Sequence, residues 1–449
     1  MKKQDGIYHN HMSLCWNEMF PISDTTPAIS APLKQKASLI GRIGLSMLSC
    51  GTGAYRVRQS MNLSAETLFV KCNADIGLLS INYTIFDGAA LASETLTLGT
   101  SGVNTTKLMK MEHFIRYFQA NAGQYSIAHF NKKLDDIDHQ QGNYKIWGTS
   151  MAAACACAAF TLLLGGGAPE MTCAFLGAFS GQFLRKKMIE RKMTTLLTIV
   201  PCSVLSLLVY IGVMKIGESL LGIDAGHATG FFCAMLFVIP GFPLITGEMD
   251  IIKLDLRSGI ERIMYAVYMI LLATLAGWAV SAAIGLKPEE LMSPSLSSAT
   301  LWALRILMSF IAVFGFSILF NSTPRMALAA SLVGMVANTL RLALLDFSPL
   351  PFNIAAFLGA LTAGLLSYHV KQKSGFPRIS IAILCNCFRV KGPSRVSRAS
   401  FLFLAQLNIF NAASCVNACY MVDFFFLLLL RGLPNFLYHH GTATAYNLY

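Results

Sequence analysis

Apolar and polar positions divide this chain into a front part of mixed polarity and a long series of apolar runs behind it. In the front part the two periods of secondary structure take turns. "SINYTIFDG" sets Ile81, Tyr83 and Ile85 on one side of an extended segment, and "SETLTLG" stands where it can pair with it. "TTKLMKMEHFIRYFQANAG" repeats Leu108, Met111, Phe114, Ile115 and Phe118 at helical spacing. The pattern predicts a small α+β domain over residues 37–146. Residues 1–36 are polar, carry Pro21, Pro27 and Pro32, and have no apolar stretch behind Lys2 and Lys3, so they read as a loose tail and not as a signal peptide.

From Trp147 the apolar runs follow one another over 147–164, 171–184, 194–214, 230–245, 264–284, 301–320, 326–345 and 352–370. Each is read as a membrane span, since roughly 20 residues cross the hydrocarbon layer. An ambiguous piece from 376 and the apolar run at 401–430 add about two more. The expected architecture is a polytopic α-helical membrane protein of nine to ten spans, with a first membrane half over 147–285, a loop over 286–299 and a second half over 300–449. Composition agrees, because 54% hydrophobic against 13% charged residues excludes an ordinary soluble chain.

Charge then orients the spans. Lys and Arg concentrate in the connections after the second, fourth and eighth runs, as in "RKKMIERK" at 185–192 and at Lys253, Arg257 and Arg262. Those connections are expected inside, which puts the front domain in the cytoplasm. The net charge of +12 follows from the same bias and from contact with anionic membrane lipids, and it calls for no nucleic acid. The 12 cysteines include no Cys-x-x-Cys, and the "YHNH" at 8–11 has no ligand cluster to complete a metal site. No nucleophile and base constellation and no phosphate-binding loop is present, so neither an enzyme nor a cofactor is expected.

One stretch carries candidate chemistry. "FVIPGFPLITGEMDIIKLDLRSGIER" at 237–262 begins as a membrane helix, is interrupted by Pro240, Gly241 and Pro243, and runs into Glu248, Asp250 and Asp255. A proline removes a backbone donor, and carbonyls freed at membrane depth must find protein partners or line a polar cavity. Broken helices of this kind form substrate and ion sites in secondary transporters; a plain kink, with the acids balanced by Lys253, Arg257 and Arg262, is the structural alternative. Arg305 and Arg341 lie within or near spans, where snorkelling to the headgroups competes with a buried role, and Asn338 is placed to bond either a substrate hydroxyl or a neighbouring helix.

The stretch from Ile239 to Arg262 resembles the Pro-Gly motif of the threonine/serine exporter family. The likeness extends to "GTGAYRVRQSM" at 51–61, "LLLGGGAPE" at 162–170 and "FPRISIAI" at 376–383, in the family's order. It implies a bacterial inner-membrane exporter of threonine and serine, driven by protons, with ten spans in two five-span halves related as an inverted repeat, the 286–299 loop then being periplasmic. Asp250 matches the family aspartate, and Glu248, Pro240, Gly241, Asp255, Arg262, Arg305 and Asn338 complete the candidate substrate and proton pathway; self-association is compatible with it. The chain departs from the family pattern at 384–398, where Arg389, Lys391, Arg395 and Arg398 crowd a region that should be apolar. The alternatives are therefore a transport-defective paralogue with a damaged second half, or a membrane-anchored regulatory or assembly protein.

Overall fold

Behind Pro32 the apolar spacing starts the first helix, α1 (Leu33–Ser49), which buries Leu39, Ile40, Ile43 and Met47 along one stripe. The structure is a computed structural model that describes residues 26–222, 228–285, 297–377 and 381. A tight turn through Gly51, whose φ of 78° suits glycine, leads into α2 (Ala54–Thr67). Three strands follow, β1 (Lys71–Ile76), β2 (Ser80–Phe86) and β3 (Leu91–Thr97), as an antiparallel meander in the order β1-β2-β3. The register sets Ala74 opposite Tyr83 and Ile81 opposite Leu96.

Alternation gives the sheet two unlike faces. Ile81, Tyr83, Ile85 and Leu96 are buried, while Asn82 and Thr84 point the other way with Asn73 and Asp75 into an open polar groove. The helix α1 lies on the apolar face, and the Tyr83 hydroxyl reaches the Ala37 carbonyl at 2.9 Å. Burial and the neighbouring Glu94 carboxylate push that phenol above its ordinary value. Two further helices close the module: α3 (Thr105–Asn121), capped by Asn104, and α4 (Ile127–Asp138), capped by Ser126. Their aromatic contact is edge-on, with Phe118 and Phe130 ring centres 4.8 Å apart. Buried Arg42 of α1 pairs with Asp135 of α4 at 2.5 Å and ties the first helix to the last.

The apolar runs become long helices: α5 (Ile146–Leu163), α6 (Ala168–Glu190), α7 (Thr195–Leu221), the short α8 (Ala228–Cys233), α9 (Gly241–Ile252), α10 (Leu256–Ile284), α11 (Ser298–Leu319), α12 (Pro324–Phe347) and α13 (Phe352–Ser374). Six of them, α5, α7, α10, α11, α12 and α13, are long and apolar enough to cross a membrane, and the bent pair around α8 and α9 would make a seventh. The protein is thus a multi-pass α-helical membrane protein with a small strand-containing region at its front.

The expected second span, 171–184, falls inside α6, which is not apolar enough to pass the same test: it carries Glu170, Arg185, Lys186, Lys187 and Glu190. It nevertheless lies between two spans, with Cys173 beside Met214 and Gly181 against Cys202 of α7. The 286–296 part of the expected loop, the atypical 384–398 segment and the run at 401–430 lie outside the described residues.

Candidate functional site

The interrupted span is built as its sequence requires. After α8 comes a single 3-10 turn at Leu236–Val238, and Pro240, with ψ 60°, starts α9 at a 63° bend. Two of the carbonyls at the break find protein donors: Ser206 Oγ donates to Ala234 O at 2.7 Å, and Arg185 of α6 donates to Phe237 O at 3.0 Å. Arg185 was not foreseen as a partner. Its signal in the sequence is a cation at the end of an apolar run, which membrane orientation alone explains.

At the other end of α9 the acids separate. Asp250 is 1% exposed and its carboxylate gathers four donors: the backbone amides of Ala54 (2.9 Å) and Tyr55 (3.4 Å), the Ser258 hydroxyl (3.0 Å) and the Arg262 guanidinium (3.3 Å). The first two amides open α2, so Asp250 caps a helix of the front region from across the interface, where the helix dipole favours an anion. A side chain on Gly53 would bring its Cβ to 2.5 Å from Asp250 Oδ1, which explains glycine there. Arg262, 2% exposed, also donates to the Gly51 carbonyl at 3.2 Å. The two motifs "GTGAYRVRQSM" and "GEMDIIKLDLRSGIER" therefore bind each other.

Further bonds widen the contact. Asp255, at the N-cap of α10, pairs with Arg58 of α2, and Asp75 of β1 pairs with Arg257. Glu261 accepts from the Leu78 amide at 2.6 Å. Gly247 and Gly259 let α9 and α10 cross closely, since a Cβ on Gly259 would lie 2.8 Å from Gly247 O. Beside the clamp, Cys50 is buried and its thiol is pushed up to about 12 by desolvation, with Lys107 pulling the other way. It is no nucleophile at neutral pH.

Glu248 differs from Asp250. It is half-buried in the second part of α9, caps no helix end, and its Oε2 has no hydrogen-bond partner among the described residues. Arg305 and Asn338 are not brought to this place. Arg305 pairs with Asp346 across α11 and α12 at 2.5 Å, about 20 Å along α11 from the turn that meets the front region. Asn338 donates to Ser309 of α11 at 2.7 Å and accepts from Arg341 of its own helix at 3.0 Å. Arg341 is only 4% exposed, which overturns snorkelling as its resting place.

The front region makes a second contact with the membrane helices. Thr105 N–H donates to Phe320 O at 3.1 Å, Thr106 Oγ1 to Asn321 O at 2.5 Å, Asn321 Nδ2 to Asn104 at 3.0 Å, and Tyr144 Oη to Ser322 O at 2.8 Å. Phe320, Asn321 and Ser322 form the turn between α11 and α12, where Asn321 has φ 58°. None of them was singled out from sequence, because neutral polar residues in a short turn carry no signal of a distant partner.

Among the described residues no group of three or more His, Cys, Asp or Glu is placed to hold a metal ion. No curated protein and no solved structure matches the chain. Two family models match it, the first over residues 38–285 and the second over residues 305–392, and both are described as threonine/serine exporter.

Proposed function

The chain belongs to the threonine/serine exporter family, and from that membership we propose that it moves threonine and serine out of a bacterial cell across the inner membrane, at the expense of the proton gradient. The protein is a membrane transporter and not an enzyme. In the proposed arrangement the front region is cytoplasmic and ten spans form two inverted halves, with α6 and the bent pair counted as crossings. The support is topological: both the α9–α10 connection and the α11–α12 turn contact the front region, as two further crossings between them require.

One observation carries the choice of coupling acid: Glu248 Oε2 is buried within the broken span and has no hydrogen-bond partner among the described residues. A carboxylate oxygen out of water and unpaired gains most from a cationic partner, here the substrate ammonium group or a proton. Asp250, already holding four donors, is assigned to docking. Pro240 and Gly241 make the break, and Asp255 and Arg262 hold the connection against the front region. The test is efflux of labelled threonine and serine from loaded proteoliposomes, with and without an imposed proton gradient; efflux that ignores the gradient removes the coupling.

A further inference from the structure

We propose that the front region is a two-point brace over the membrane helices, and that transport proceeds by release of one point, the Asp250 clamp, while the Asn321 seam stays made. This rests on the transporter reading above. The two points differ in construction. At the seam, Asn104, Thr105 and Thr106 from one side and Asn143 and Tyr144 from the other grip a single turn through neutral hydrogen bonds. The helices leading from that turn, α11 and α12, run unbroken for 22 and 24 residues. Nothing there can swing without dragging a full span.

The clamp sits on a different kind of support. Its aspartate is carried by the 12-residue α9, which is joined to its neighbours by non-helical backbone at both ends, at Pro240 (ψ 60°) and at Leu254 (φ 64°), while Arg257, Glu261 and Arg262 belong to the start of α10. A short rigid piece between two joints is a hinge-mounted element. The clamp's grip on the start of α2 passes through one carboxylate of α9 and one guanidinium of α10, both nearly fully buried. That pair joins α9 to α10, so undocking opens instead the bonds to the Ala54 and Tyr55 amides and the Gly51 carbonyl, which water can replace.

Two charged pairs, Asp75–Arg257 exposed and Arg58–Asp255 with its carboxylate buried, allow a test that spares Asp250 and Arg262. Arg58→Glu with Asp75→Arg removes the Arg58–Asp255 and Asp75–Arg257 pairs, and adding Asp255→Arg with Arg257→Asp restores both with charges exchanged. In the full-length protein in lipid nanodiscs, amide hydrogen exchange over residues 51–61 should rise at least tenfold in the first variant, stay unchanged over 104–107, and return in the exchanged one. Equal acceleration in both segments, or in neither, overturns independent release. Locking gives the second arm. Asp75→Cys with Arg257→Cys, bridged by a short cleavable reagent in a background without other cysteines, should cut threonine efflux at least tenfold until the bridge is cleaved. Efflux through the bridged protein at the unbridged rate overturns the brace. If the unbridged protein moves neither threonine nor serine, the substrate assignment fails, and hydrogen exchange still decides the brace.

Discussion

Two acids two residues apart, Glu248 and Asp250, meet opposite surroundings, and their substitutions should separate accordingly. Glu248→Gln is expected to abolish gradient-driven efflux while leaving hydrogen exchange over residues 51–61 unchanged. Asp250→Asn keeps the shape but leaves Arg262 buried without its counter-charge, a loss of about 3–5 kcal/mol when one partner of a buried pair is removed. Exchange over 51–61 and the thermal midpoint should both report it; an Asp250→Asn protein that stays docked and loses only transport would return the coupling role to Asp250. Selectivity belongs at this scale too. If the substrate hydroxyl is hydrogen-bonded, valine should compete far worse than threonine, beyond the ~1–3 kcal/mol that size alone supplies. Equal competition would show that the hydroxyl is not read. Both acids were legible in "GEMD", but their division of labour was not, because the amides that claim Asp250 lie 196 positions earlier in the chain.

The broken span is the element on which the proposal depends. Pro240→Ala returns a backbone donor and favours a continuous helix, so it should preserve membrane expression and lose transport; expression and transport falling together would make the bend a structural kink only. Arg185→Met should lower the thermal midpoint, since Phe237 O loses its donor, at a cost of about 1–3 kcal/mol for a buried group left unpaired. Period and apolar run length made the strands and the long helices readable: β2 and α3 bury the residues that alternation and helical spacing marked. The break was readable from Pro240 and Gly241. What occupies its freed carbonyls was not, because Ser206 and Arg185 come from other helices and are ordinary there. Helix α6 was readable as a helix, yet its cations and small residues make it a span only through its neighbours.

For the whole molecule the cation pattern was the informative signal, and it makes a direct prediction about sides. Asp87→Cys in the front region and Lys192→Cys after α6, each as the single cysteine, should react with an impermeant maleimide in inside-out vesicles and not in right-side-out ones. Opposite labelling of the two would remove α6 from the crossings. The inter-motif contact was hidden from sequence for a plain reason: complementary charges at Arg58 and Asp255 carry no mark of each other across such a separation. That separation also has a consequence for biogenesis. Ala54 and Asp250 are 196 positions apart, and Thr105 and Ser322 are 217. At about 5–20 residues per second on the ribosome, roughly 10–40 s pass between the synthesis of Ala54 and that of the aspartate that caps α2. Until then the opening amides of α2 are served by water. The module must fold on its local contacts alone, and closure of the interface becomes a late event in assembly, exposed to whatever delays insertion of the intervening helices.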